Sequence, residues 1–299
     1  MFLRVEMDPA SRKYHRFLWR DMDDTKPIDV YEYNRLVFGN TASPYLSQKV
    51  LRTHAWRNVD EYPRGAEAVL RSMYVDDLSD SEDNTARAIA LRKEVTELLG
   101  TAGFGIQKWI SNNIAVLADV PEDERATAVS IDDNELPSVK TLGLMWDAEA
   151  NQYVFIVKVP TMTTMTKRTV FSASASLFDP VNFLAPYTVR ARMLMQETWT
   201  AGLQWDDPLP KILTQKWQHW FDEMTLLSHI KVDRRLLLKT DSKIVDKAIH
   251  TFVDASQDAY AAAVYLRTQY EDGDLSVNLV TSKARVAPLK AMSIPRLHC

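Results

Sequence analysis

Apolar and polar positions divide the chain into strand-like, then helical, then again strand-like stretches. Residues 67–75 form a short apolar-rich run that stops at Asp76-Asp77, which predicts a strand ending in a tight turn. A helix is predicted next. Ser79-Asp80-Ser81-Glu82 has the form of a capping box, Leu91, Val95 and Leu98 share one helical face, and Gly100 and Gly103 stop the pattern. A second helix over 187–201 groups Ala191, Leu194, Met195 and Trp199. A third begins near Pro208 and places Leu213, Trp217, Trp220 and Phe221 on one stripe, which assigns both tryptophans to a core rather than to base stacking. Strand-like runs follow at 249–254, 260–267 and 276–282. This order indicates an α+β fold. Acidic and proline-rich breaks fall at 119–124 and 206–210, and another break lies at 239–242.

Composition narrows the function classes. The chain has 299 residues, 46% hydrophobic and 25% charged, which fits packed domains rather than a disordered tail. No apolar run approaches the roughly 18 residues of a membrane span, and residues 1–8 lack the pattern of a signal peptide, so an intracellular location (a cytoplasmic particle or the nucleus) and no membrane partner are expected. Cys299 is the single cysteine, which excludes a disulfide framework and a zinc ribbon. The six histidines show no metal-ligand spacing, and glycine-rich nucleotide loops and an Asp-[Thr/Ser]-Gly peptidase triplet are absent. Residues 1–150 carry 18 Lys and Arg against 26 Asp and Glu, whereas 151–299 carry 18 against 14. By net charge the second half is the better candidate for a polyanion.

Tyr74-Val75-Asp76-Asp77 places two adjacent carboxylates at a hairpin tip, the hard oxygen donors that Mg²⁺ takes. Alone, such a pair is more often a solvated turn. Its flanks add order. Phe38-Gly39-Asn40-Thr41-Ala42-Ser43-Pro44-Tyr45-Leu46-Ser47-Gln48 lies upstream, and Gly103-Phe104-Gly105-Ile106-Gln107-Lys108-Trp109 and Thr141-Leu142-Gly143-Leu144-Met145-Trp146 lie downstream. Further on come Thr166-Lys167-Arg168, Leu177-Phe178-Asp179-Pro180, Trp205-Asp206-Asp207-Pro208, Phe252-Val253-Asp254-Ala255-Ser256 and Ser282-Lys283-Ala284-Arg285.

In that order and spacing the chain resembles the polyprotein of the Bel/Pao class of LTR retrotransposons, from its reverse transcriptase palm to the start of its RNase H-like domain. The resemblance implies four parts: an incomplete palm over 1–118, a palm end with primer grip and linker over 119–160, a helical thumb- or connection-like segment over 161–240, and a truncated RNase H-like sheet over 241–299. It implies Asp76 and Asp77 as catalytic metal ligands for Mg²⁺, with Asp254 as the first RNase H carboxylate. It implies Phe2 as the steric gate, with Phe38, Gly39, Ser43, Pro44 and Gln48 as the template and nucleotide motif. Tyr74 would buttress the primer end, and Leu142 and Gly143 would form the primer grip. Template-primer RNA or DNA, a dNTP and the rest of the polyprotein are the implied partners. Lys108, Lys167 and Arg168 are candidate phosphate contacts, since they pair positive charge with loop or element-end positions.

The pattern also departs from the family. Met1-Phe2 aligns with the last two positions of motif A, whose aspartate would fall three residues before Met1. In Ile294-Pro295-Arg296-Leu297-His298 a histidine stands where the family has the second RNase H glutamate. Two-metal transfer needs carboxylates from separate places, so neither polymerase nor RNase H activity is expected of this chain alone. An exposed apolar sheet face without covering helices is expected at the C-terminal end. Two readings stay open: a polymerase segment, or a non-catalytic remnant or co-opted module that retains nucleic-acid affinity.

Overall fold

The computed structural model describes residues 1–127, 138–141, 144–157, 159, 161–239 and 242–290. The chain divides into two units, Met1–Thr127 and Ala128–Cys299.

The first unit holds α1 (Pro9–Arg12), β1 (Arg16–Trp19), β2 (Asp29–Glu32), α2 (Ser43–Arg57), α3 (Pro63–Ser72), β3 (Met73–Tyr74), β4 (Asp77–Leu78) and α4 (Thr85–Thr101). Leu51 and Ala55 of α2, Ala66 and Val69 of α3, and Val95, Leu98 and Leu99 of α4 form one buried core with Val5 and Leu36. Gly65 lets α3 and α4 approach closely: a Cβ there would stand 3.1 Å from the Glu94 carbonyl carbon. Glu94 completes the joint. Its Oε1 accepts from the Arg64 and Gly65 amides at 2.8 and 3.0 Å, which satisfies donors that the start of α3 leaves open. At the far end of α4, Gly103 takes φ +76, and the Phe104 amide returns to the Leu99 carbonyl at 3.0 Å, closing the helix with a Schellman motif.

Two expectations change here. Residues 67–72 are helical, not extended, and only Met73 and Tyr74 enter a strand. Ala66, Val69 and Met73 recur at helical spacing, and a short apolar run cannot be assigned by periodicity alone. The cap of α4 is Asn84, whose side chain accepts from the Arg87 amide at 3.0 Å, rather than the Ser79–Glu82 box. Among the described residues of this unit the strands make two separate antiparallel ladders, β1–β2 and β3–β4.

The second unit holds a four-stranded antiparallel sheet of β5 (Ser138–Thr141), β6 (Leu144–Asp147), β7 (Gln152–Val154) and β8 (Lys231–Asp233), with α5 (Lys167–Ala175), α6 (Ala185–Thr200) and α7 (Lys211–Met224) between β7 and β8 in sequence. A second antiparallel sheet follows, built from β9 (Ile244–Ala255), β10 (Ala259–Tyr270) and β11 (Leu275–Val286) with β10 in the middle. The fold is thus a mixture of helices and antiparallel sheet. Trp217, Trp220 and Phe221 are buried as the helical stripe indicates. Trp220 stacks on Tyr187 at 4.5 Å. The two also exchange hydrogen bonds, the Tyr187 hydroxyl donating to the Trp220 carbonyl at 2.6 Å and the Trp220 indole to the Tyr187 carbonyl at 3.2 Å.

The three expected C-terminal strands are present and longer than the sequence runs. Contrary to expectation, a helix lies against them. Arg192 and Gln196 of α6 donate to the carbonyls of Ala284 and Ala287 at 2.7 and 2.8 Å, and the Ser282 hydroxyl donates to the Asn182 carbonyl at 2.6 Å. The cover is local to β11. Val245, Ile249 and Val253, on one face of β9, stay exposed, as does Phe252 on the other.

Candidate metal and nucleic-acid site

The site begins with a two-residue hairpin. Tyr74 pairs with Asp77 and Met73 with Leu78, so Val75 and Asp76 form the loop. Val75 has φ +54 while Asp76 does not take positive φ. Positive φ at the first loop residue alone is the II′ pattern, which matches the twist of paired strands and ordinarily uses glycine. A β-branched residue there is strained by about 1–2 kcal/mol. Met73 and Leu78 pack against the core of the first unit and anchor the ladder. Asp76 and Asp77 are consecutive at this turn and both are exposed to solvent. Among the described residues neither has a salt-bridge partner.

The base of the hairpin is clamped by residues that the sequence reading missed. Asp80 accepts from the Arg71 guanidinium and from the Ser72 hydroxyl, both at 3.1 Å, and the Ser79 amide donates to the Ser72 carbonyl at 3.3 Å. The sequence carries the signal, but read locally Asp80 belongs to a helix-cap pattern.

Phe2 and Phe38, which the resemblance assigns to the steric gate and to the nucleotide motif, also meet. Phe2, in a 3-10 turn over Phe2–Arg4, places its ring edge-on to Phe38 at 5.2 Å between centroids. Phe2 packs on the same core that anchors the hairpin, while Phe38 is exposed. Gly39 follows at φ +83, turning the chain into α2. Ser43 starts that helix buried and donates its hydroxyl to the Val37 carbonyl at 2.8 Å, which spends it on structure. Pro44 occupies the first helical turn, where its missing N–H costs nothing. Gln48 is half-buried one turn further along.

The remaining candidates lie elsewhere. Lys108 is exposed at φ +62. Lys167 is buried, its ammonium donating to the Leu203 carbonyl and lying 4.9 Å from the Trp199 ring centre, so it is withdrawn from phosphate contact. Arg168 is exposed but forks onto Asp206 at 2.7 and 3.0 Å. That pair holds the Asp206 carboxyl below its ordinary range. Asp254 is exposed on β9 opposite Ala261, its carboxylate accepting from the Ala255 amide at 2.9 Å. Leu142 and Gly143 lie outside the described residues, between β5 and β6, as does the 294–298 run. Among the described residues no group of three or more His, Cys, Asp or Glu side chains is placed to share a metal ion.

Residues 166–299 match the family described as the Pao retrotransposon-like RNaseH-like domain. The matched segment spans α5 to β11: the three helices, β8 and the three-stranded sheet that α6 joins. No curated protein matches the chain.

Proposed function

We propose that this chain, whose residues 166–299 match the Pao retrotransposon-like RNaseH-like domain, is a stretch of Bel/Pao retrotransposon polyprotein, and that residues 1–127 carry the metal-binding turn of a reverse transcriptase palm. The observation that supports it is the strained hairpin that displays Asp76 and Asp77 together. The donor chemistry fits Mg²⁺, which takes one or two carboxylates and completes its shell with water and phosphate oxygens. Mg²⁺ bound there would neutralise charge on a nucleotide triphosphate during attack by a primer 3′-OH. In this reading Asp76 is the main ligand and Asp77 its neighbour. Tyr74, exposed beside them, supports the primer end. The Phe2–Phe38 pair forms an aromatic wall that disfavours a ribose 2′-OH. Template-primer and dNTP are the proposed partners, and Asp254 is the proposed first carboxylate of the RNase H-like portion.

A second reading draws on a specific observation. Two-metal transfer requires carboxylates from more than one element, and no third one joins the pair among the described residues. The chain by itself is therefore proposed to bind metal and nucleic acid without turnover. Calorimetric titration with Mg²⁺ tests the reading. The wild-type chain is expected to bind in the millimolar range and the D76N/D77N variant not at all; equal heats from both would remove the hairpin from the metal site. Template-dependent dNTP incorporation by the wild-type chain would overturn the reading without turnover.

A further inference from the structure

We infer that a cationic cleft between the Phe2–Arg4 turn, α2 and the end of α4 holds the phosphate backbone of a single polynucleotide strand. The cleft has a volume of about 410 Å³. Buried Val5 and Phe104 line it with apolar surface. Arg4, Lys49 and Arg57 line it with exposed positive charge. Among the described residues none of the three has a carboxylate partner. Many other cations of this unit are paired with carboxylates, among them Arg16 with Glu32, Arg71 with Asp80 and Lys93 with Asp119. The acid at the rim, Glu6, is itself held by Arg35 at 3.2 Å. Three unpaired cations over a low-dielectric wall focus a positive field into the cleft.

The arrangement suits a strand better than a single ion. Lys49, Thr53 and Arg57 follow at i, i+4 and i+8 on α2, a row about 12 Å long at 1.5 Å per residue. Arg4 comes from a different element. Guanidinium and ammonium groups in a row match successive phosphates, and the Thr53 hydroxyl adds a neutral donor. His54 also lines the cleft, but its ring is spent on structure: Nε2 faces the Leu98 carbonyl at 2.7 Å and Nδ1 faces Asn58 at 3.3 Å. The choice of a nucleic acid over an acidic peptide rests on the retroelement reading above.

The test is the salt dependence of binding by the full chain to a short fluorescent single-stranded RNA. Neutralising phosphates releases counterions, with a slope of log K on log salt of about −0.7 per phosphate for single strands. R4Q/K49Q/R57Q is expected to flatten the slope by about 2. The control K211Q/K231Q/K247Q removes the same charge from exposed positions of the other unit and is expected to leave the slope unchanged. An equal loss in both variants would make net charge the cause and overturn the proposal. So would an unchanged slope in the cleft variant, or no binding by the wild-type chain. If polyglutamate, or inorganic pyrophosphate at constant ionic strength, displaces the RNA as well per charge, the cleft serves carboxylates or free phosphate instead and the strand proposal falls. The Mg²⁺ titration of the D76N/D77N variant is read separately, so a failed cleft leaves the hairpin reading standing.

Discussion

At the scale of single residues, Val75 and Gly65 carry opposite backbone demands. Val75 holds positive φ against the preference of a β-branched side chain. V75G is expected to raise stability in urea unfolding by roughly 1 kcal/mol, because the strain relieved exceeds the entropy that glycine adds to the unfolded chain. A fall in stability would show that Val75 packs more than it strains. Gly65 has the reverse constraint, since a Cβ would press on the Glu94 and Val95 backbone at 3.1–3.2 Å. G65A is expected to destabilise by about 1–3 kcal/mol. The Asp76-Asp77 turn was legible because consecutive aspartates are turn formers. The internal use of Lys167 was not, because Trp199 and Leu203, which capture its ammonium, lie a full helix away in sequence.

At the scale of elements, periodicity worked where segments were long. The Leu213, Trp217, Trp220, Phe221 stripe of α7 is buried as written, and W217A is expected to cost about 3–5 kcal/mol in the second unit. Short segments were ambiguous, and 67–72 went to helix because Glu94 reaches across from α4 to cap it, a partner that no local window contains. E94A is expected to cost about 0.5–2 kcal/mol and to fray α3, read as faster amide exchange at Arg64 and Gly65. Unchanged exchange there would mean that the close packing at Gly65 holds α3 without the cap. The strands β9–β11 outran their sequence signal because alternation is blurred when both faces are half exposed.

At the scale of the molecule, two units with their own cores make unfolding depart from a single transition. L98A is expected to lower the transition of the first unit and W217A that of the second, each seen by residue-resolved probes; a common shift would refute separate cores. Acid sensitivity belongs to this scale too. The Arg190 guanidinium forks onto Glu223 and holds its carboxyl below the ordinary range. A depressed carboxylate contributes stability that is present above its unfolded value of about 4.3 and is lost as pH falls through the lowered folded value. E223Q is therefore expected to lower stability at neutral pH and to flatten its decline in acid. Net charge by half pointed to residues 151–299 for a polyanion, yet the cleft with unpaired cations lies in the acidic half. Arg4 and Lys49 are remote in sequence, and a sum over a segment hides a local concentration of charge.

Whether the Tyr74–Asp77 hairpin holds a divalent cation is decided by NMR of the full chain titrated with Mn²⁺. Paramagnetic broadening is expected to begin at the amides of Val75, Asp76 and Asp77 and to be reversed by excess Mg²⁺. Broadening that begins elsewhere while these amides stay sharp would contradict binding there.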